Sequence, residues 1–186
     1  MRKLKLQMQI TVDGFVAGPK GQLDWMSREM DNDLISFITH LTDTSDTILM
    51  GRKMTEGFVQ YWEHAITQPE SPEYSFAQKM VDYPKVVFSK KITDISGKNV
   101  RVENGPIKKA VKNLKNQEGK DIVVYGGATF VRSLIKNKLI DELNFFVNPV
   151  AIGKGMRVFQ TRSPLKLTDS TKYPSGIVVN RYEPQW

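Results

Sequence analysis

Short runs of β-branched and aromatic residues alternate along this chain with amphipathic helical patterns, and that alternation restricts the fold more than any other feature. Leu4, Leu6, Met8 and Ile10 alternate with Lys3, Lys5, Gln7 and Gln9, the period of two that marks a strand. Asp46–Met50, Lys85–Ser89, Asn99–Glu103 and Asp121–Tyr125 read as further short strands. Between them, Leu34, Ile35, Ile38 and Leu41 recur at helical spacing, with Asp31, Asn32 or Asp33 able to cap that helix. Gly51–Trp62 begins a second helix. Ser71-Pro72-Glu73 is a helix start whose helix ends at Tyr83-Pro84. Ile107, Ala110, Val111 and Leu114 follow the amphipathic pattern, as does Gly127–Asn137 with Phe130, Val131, Leu134 and Ile135 inward. Asp141–Val150, Leu165–Tyr173 and Ile177–Glu183 close the chain as three strands, the last two joined by Pro174-Ser175-Gly176. The pattern predicts one α/β domain over residues 1–186 whose mixed sheet is mostly parallel and ends in an antiparallel C-terminal hairpin.

Composition removes whole classes of chemistry. With 186 residues the chain can bury roughly 70% of its unfolded surface, so no covalent or metal staple is needed. It contains no cysteine, which excludes thiolate catalysis, zinc–thiolate sites and disulfides together. The longest apolar run is Ile122–Tyr125, against roughly 20 residues for a membrane span. Residues 1–12 do not read as a signal peptide, so the expected location is the cytoplasm with no membrane partner. The net charge of +7 points to anionic partners. Lys108, Lys109, Lys112, Lys115 and Lys120 read as the solvated face of a helix; without a nucleic-acid-binding motif, no nucleic acid is expected. His40, on the inner half of its helix, and His64, in a loop, read as structural or solvated. There is no G-x-S-x-G elbow, P-loop or H-E-x-x-H, and no metal site is expected.

Three places remain where a strand runs into small or basic residues that open a helix or loop. In Ile48-Leu49-Met50-Gly51-Arg52-Lys53, two cations stand beside helix N-terminal amides that favour an anion. Val86-Val87-Phe88-Ser89-Lys90-Lys91 ends in a hydroxyl and two cations. Val123-Val124-Tyr125-Gly126-Gly127-Ala128-Thr129 places two glycines where a ligand approaches the backbone. All three lie at carboxyl ends of strands, where open α/β sheets hold their ligands. The pattern is not the G-x-G-x-x-G fingerprint.

These residues, together with Thr11-Val12-Asp13-Gly14-Phe15-Val16-Ala17-Gly18, Asp24-Trp25, Asn148-Pro149 and Gly153-Lys154-Gly155, resemble the dihydrofolate-reductase-like superfamily. More narrowly, the chain resembles the reductase domain of the bifunctional riboflavin-biosynthesis deaminase/reductase and its stand-alone relatives, from Leu4 to about Phe159. The resemblance implies a three-layer fold and an NADPH-dependent reductase acting on a small heterocyclic or phosphoribosyl substrate. Dihydrofolate reduction, or nucleotide binding without catalysis, are the alternatives. By that resemblance Gly51, Arg52 and Lys53 hold cofactor phosphates, and Ser89 and Lys90 surround the adenosine 2′-phosphate. Gly126 and Gly127 form a cis pair at the pyrophosphate, continued by Ala128, Thr129 and Phe130. Val16, Ala17 and Gly18 flank the nicotinamide, while Trp25 and Tyr125 face the substrate.

The chain departs from these families at three points. Met54-Thr55 moves an expected hydroxyl one place along. Tyr125 stands where riboflavin-pathway reductases usually carry glutamate, and Asp82-Tyr83-Pro84-Lys85 lacks the folate-gripping arginine. No side chain stands out as proton donor. Adjacent Phe145 and Phe146 point to opposite faces of a strand, so both faces need cover. In the related reductases sheet-edge strands pair across a two-fold, and the expectation is a homodimer.

Overall fold

The first strand of the sequence becomes the middle of the sheet. In the computed structural model, which describes residues 1–27 and 30–186, β1 (Leu4–Thr11) pairs in parallel with β5 (Asp121–Val124) on one side and β6 (Glu142–Asn148) on the other. Outward from β5 lie β2 (Ser45–Gly51), β3 (Lys85–Phe88) and β4 (Val100–Glu103), all parallel. Outward from β6 lies the antiparallel hairpin of β8 (Val178–Pro184) and β7 (Leu165–Lys172). The order is β4-β3-β2-β5-β1-β6-β8-β7, the mixed, mostly parallel sheet that the pattern implies.

Helices cover both faces, making three layers. On one face α4 (Ile107–Lys115) and α5 (Ala128–Lys136) bury Val111, Leu114, Phe130, Val131 and Leu134 against Leu4, Leu6, Leu49, Ile122, Val124 and Leu143. On the other, α2 (Arg52–Ala65) and α3 (Tyr74–Asp82) pack Phe58, Trp62 and Met80 on Ile48, Met50, Val87 and Val123. Beside them α1 (Asn32–Asp43) packs Leu34 and Phe37 on Phe146 and Val179. Asp31 caps α1 by accepting from the Leu34 amide at 2.9 Å. None of the described helices is long and apolar enough to cross a membrane.

Carboxylates at the amino ends of the central strands tie neighbouring strands together. Asp121 accepts from the Lys3 amide at 2.8 Å and from the Lys5 ammonium at 2.8 Å. Asp141 accepts from the Leu4 amide at 2.7 Å and from Lys115 Nζ at 2.6 Å. Asp46 binds the buried Arg2 guanidinium and accepts from the Lys120 amide at 2.8 Å. Each tie joins strands remote in sequence at one level, and so selects the pairing register.

Several expectations shift at their boundaries. The second helix continues to Ala65, so His64 is exposed in its last turn rather than in a loop, and its Nε2 meets Gln68 Nε2 at 3.0 Å. His40 is exposed, not inward. Ser71 closes a turn by accepting from the Tyr74 amide at 3.0 Å, and α3 starts only after it. Phe145 packs with Phe159 and Tyr182, and Phe146 with Phe37, at centroid separations of 5.9, 6.3 and 6.0 Å. Both faces of this strand are therefore covered within the chain, and no second subunit is needed for that purpose.

Lys85 is the largest side chain among those almost wholly buried, at 2% exposed. Its Nζ donates to the carbonyls of Met80, Val81 and Tyr83 at 2.8–2.9 Å, closing the C-terminal end of α3 against β3. Burial lowers its ammonium from 10.5 to about 8. Lys85→Met strands those carbonyls and is expected to cost roughly 2–4 kcal/mol at pH 7. Between about pH 8 and pH 10.5 the unfolded chain holds this proton more tightly than the folded one. Wild-type stability should therefore rise relative to Lys85→Met across that window. Urea unfolding of both proteins at several pH values tests this; equal midpoints at pH 7 would refute the capping role.

Candidate active site

The three strand ends singled out by sequence lie side by side, because β3, β2 and β5 are neighbours in the sheet. Gly51 is the register partner of Phe88, so Arg52 follows β2 at the level where Ser89 follows β3. Leu49 pairs with Val124, which brings Gly51 level with Gly126. The N-caps of α2 and α5 are Gly51 and Gly127, and neither helix has a side-chain cap, unlike α1. A Cβ on Gly127 would lie 3.6 Å from Gly51 Cα, so the two helix starts touch. Two sets of unclaimed N-terminal amides thus face one crevice, each end carrying partial positive charge. Arg52 is half-buried and Lys53 and Lys90 are exposed; among the described residues none of the three makes an ion pair.

Glycine has different reasons at the three positions. Gly51 has ordinary φ, but a Cβ there would sit 2.8 Å from Phe130 Cβ, so its bareness admits α5. Phe130 in turn stacks on Phe88 at 5.0 Å and joins the core rather than the crevice surface. Gly126 and Gly127 have φ of 143° and 85°, and the expected cis peptide is absent. Two left-handed residues turn the chain from β5 into α5 without it. Ala128 is half-buried and Thr129 exposed at the start of α5.

Ser89 Oγ accepts from the amides of Lys91 and Ile92 at 3.0 and 3.3 Å, which curls the chain after β3 and leaves its hydroxyl proton available. Thr55, by contrast, is fully buried and donates to the Gly51 carbonyl at 3.2 Å, so it does not take over the expected contact. Met54 takes that place, with its Sδ 3.8 Å from where a Gly126 Cβ would stand. Met8 lines the same spot at 3.5 Å.

The loop after β1 is held by Asp13. Its carboxylate accepts from Thr11 Oγ1 at 2.5 Å and from the amides of Ile152 and Gly153 at 3.1 and 2.8 Å. The Thr11 hydroxyl, with those amides behind it, holds this carboxyl below the usual aspartate value. Val16 donates its amide to Met156 and Ala17 accepts from Met156, both at 2.8 Å. The Val16 side chain belongs to the core, and Ala17 is buried beside it. Gly18 opens a turn closed by Gln22 at 2.9 Å.

Trp25 is half-buried, and its Nε1 is buried without a partner among the described residues. Tyr125 stacks on Phe58 at 5.8 Å, and its hydroxyl meets Thr42 Oγ1 at 3.1 Å. Thr42 gives its own proton to the Ile38 carbonyl at 2.9 Å, so Tyr125 is the donor in this pair. Burial pushes its phenol up to about 12, which keeps it neutral. Sequence reading named neither Met8, Met54 nor Asp13 as site residues. The Asp13-Gly14 motif and the Met54-Thr55 departure are the signals the sequence carries for them.

The RibD C-terminal domain family matches residues 2–179. The chain belongs to that family. The chain is 32% identical over 182 residues to the uncharacterized protein YyaP of Bacillus subtilis, covering 95% of this chain and 92% of that one. Among solved structures, a putative riboflavin biosynthesis protein from Shewanella sp. PV-4 superimposes with a TM-score of 0.72 at 20% identity, both chains covered completely. Dihydrofolate reductase from Enterococcus faecalis, complexed with NADP(H), gives 0.63 at 16% identity over 99% of this chain and 97% of that one. This RibD C-terminal domain therefore has the dihydrofolate-reductase-like fold that the motifs imply.

Gly51→Ala should cost roughly 1–3 kcal/mol by forcing α5 off the sheet. The double variant with Phe130→Gly, which removes the Cβ that the new methyl meets, should cost less than the sum of the two single changes. Additive losses in urea unfolding would show that the helix starts do not depend on this contact.

Proposed function

We propose that this protein is a cytoplasmic, NADPH-dependent reductase of the riboflavin-biosynthesis type. It would act on a small heterocyclic or phosphoribosyl substrate in the manner of 5-amino-6-(5-phosphoribosylamino)uracil reductases. The observation that carries the reading is the meeting of the α2 and α5 starts at Gly51 and Gly127, both without side-chain caps and flanked by uncommitted cations. Such a crevice fits a dinucleotide, whose phosphates need several donors at once.

Arg52 and Lys53 would neutralise cofactor phosphates, and Ser89 and Lys90 the adenosine 2′-phosphate. Gly126 and Gly127 would let the backbone approach the pyrophosphate, with the amides of Ala128, Thr129 and Phe130 directed at it. Backbone of Val16, Ala17 and Gly18, tethered through Asp13, would flank the nicotinamide. When bound, the cofactor supplies the hydride. Trp25 and Tyr125 would wall the substrate side, Tyr125 as a neutral group whose proton is already given to Thr42. The family likeness and the exposed outer strand β7 support a homodimer assembled through the sheet edge.

NADPH should bind more tightly than NADH by roughly 1.5–3 kcal/mol, the scale of charged hydrogen bonds. Arg52→Ala should remove much of the affinity for both. Calorimetry that finds equal affinities, or no loss in Arg52→Ala, would sink the assignment.

A further inference from the structure

Three register partners on neighbouring strands form a polar row beneath α1. Gln7 of β1 pairs with Asn144 of β6, and Asn144 with Arg181 of β8. Neighbouring strands lie about 4.7–4.9 Å apart, so the three side chains stand abreast on one face. Phe146 and Val179, two residues along from Asn144 and Arg181, share that face and pack with Leu34 and Phe37 of α1. Gln7 is 9% exposed and Asn144 0%. Each member of the row holds a buried polar atom with no hydrogen-bond partner among the described residues: Gln7 Oε1, Asn144 Oδ1 and Arg181 Nε.

The polarity of two of these atoms is fixed. Asn144 Nδ2 donates to the Leu6 carbonyl at 3.2 Å and to Glu142 Oε1 at 3.0 Å. A carbonyl and a carboxylate are both acceptors, so the carboxamide has one orientation and Oδ1 is the acceptor left over. Arg181 Nε can only donate. Its guanidinium lies over Phe37, with Cζ 5.6 Å from the ring centroid. Asp169, the register partner of Arg181 on β7, is exposed and accepts from Thr171 Oγ1 at 3.2 Å. No hydrogen bond fixes the Gln7 carboxamide, so it can offer either its oxygen or its nitrogen. A donor and an acceptor side by side suit a small neutral molecule that does both. An anion would face the Asn144 oxygen, and a cation would face the guanidinium.

We propose that this row binds one internal water molecule. The water accepts from Arg181 Nε, donates to Asn144 Oδ1 and makes its third bond to whichever end of the Gln7 carboxamide turns to it. Three such bonds are the usual complement of a buried water. It joins β1, β6 and β8 at one level, and by fixing Nε it holds the guanidinium against Phe37 of α1. The water is a structural ligand of the sheet, and its site stands whether or not the crevice takes a dinucleotide.

Two measurements on the full chain test it. A high-resolution crystal structure should show a solvent peak within hydrogen-bond distance of both Asn144 Oδ1 and Arg181 Nε. In solution, the Arg181 Nε–H signal should show a cross-relaxation peak to water with the sign of a long-lived, bound molecule. Gln7→Leu separates the water from mere burial. Gln7 makes no hydrogen bond among the described residues, so without the water this change removes only an orphan oxygen and should leave stability equal or raised. With the water, it removes one of three bonds and should lower the folding equilibrium constant about tenfold, the scale of one hydrogen bond. A crystal structure in which Gln7 Nε2 or Arg181 Nε bonds Asn144 Oδ1 directly, with no solvent between, overturns the inference whatever the variant does. So does a Gln7→Leu protein as stable as the wild type. If Gln7→Leu fails to fold, the wild-type solvent peak and the Nε–H signal still decide.

Discussion

Everything at the crevice depends on ties at the opposite edge of the sheet. Asp46, Asp121 and Asp141 each accept main-chain amides from a segment remote in sequence, and each also holds a cation. A slip of one residue at any of them would turn every side chain of that strand to the other face. Gly51 would then leave Phe88, and the polar row of β1 would enter the α4–α5 core. Anchoring the amino ends is what lets the carboxyl ends be made of glycines, turns and unpaired cations, which contribute little to stability themselves.

The two sides of the crevice divide their chemistry by charge. On the β2, β3 and α5 side stand Arg52, Lys53 and Lys90 with two helix starts, a field suited to phosphate. On the β1 and β6 side stand Gln7, Gln9, Asn148 and a neutral Tyr125. The first side is suited to attract an anion over a distance, whereas the second offers neutral polar groups, whose hydrogen bonds are short-ranged and nearly independent of salt.

Strand order was not written in the sequence, but most strands were, since the alternation at Leu4–Ile10 and the compact run at Asp121–Tyr125 are local signals. The three crevice segments were legible for the same reason: each is a strand followed at once by glycine or cations. What escaped were residues whose role depends on a distant partner. Asp13 looks like a turn residue until Ile152 and Gly153 are beside it. Met54 looks like a helix position until Gly126 is beside it. The Phe130 side chain packs on Phe88 because β3 lies two strands from β5, a placement that no local pattern encodes.

The central position of β1 also bears on how the chain comes to fold. Its amide at Lys3 meets a carboxylate 118 positions further on, and both strands that flank it come from the second half of the chain. During synthesis the first strand leaves the ribosome well before either neighbour, so its ladder stays open until β5 and β6 emerge. Such non-local pairing folds slowly and exposes strand edges to other chains. Lys3 and Lys5 place two charges at the start of that otherwise adhesive segment, the pattern that disfavours edge-to-edge association.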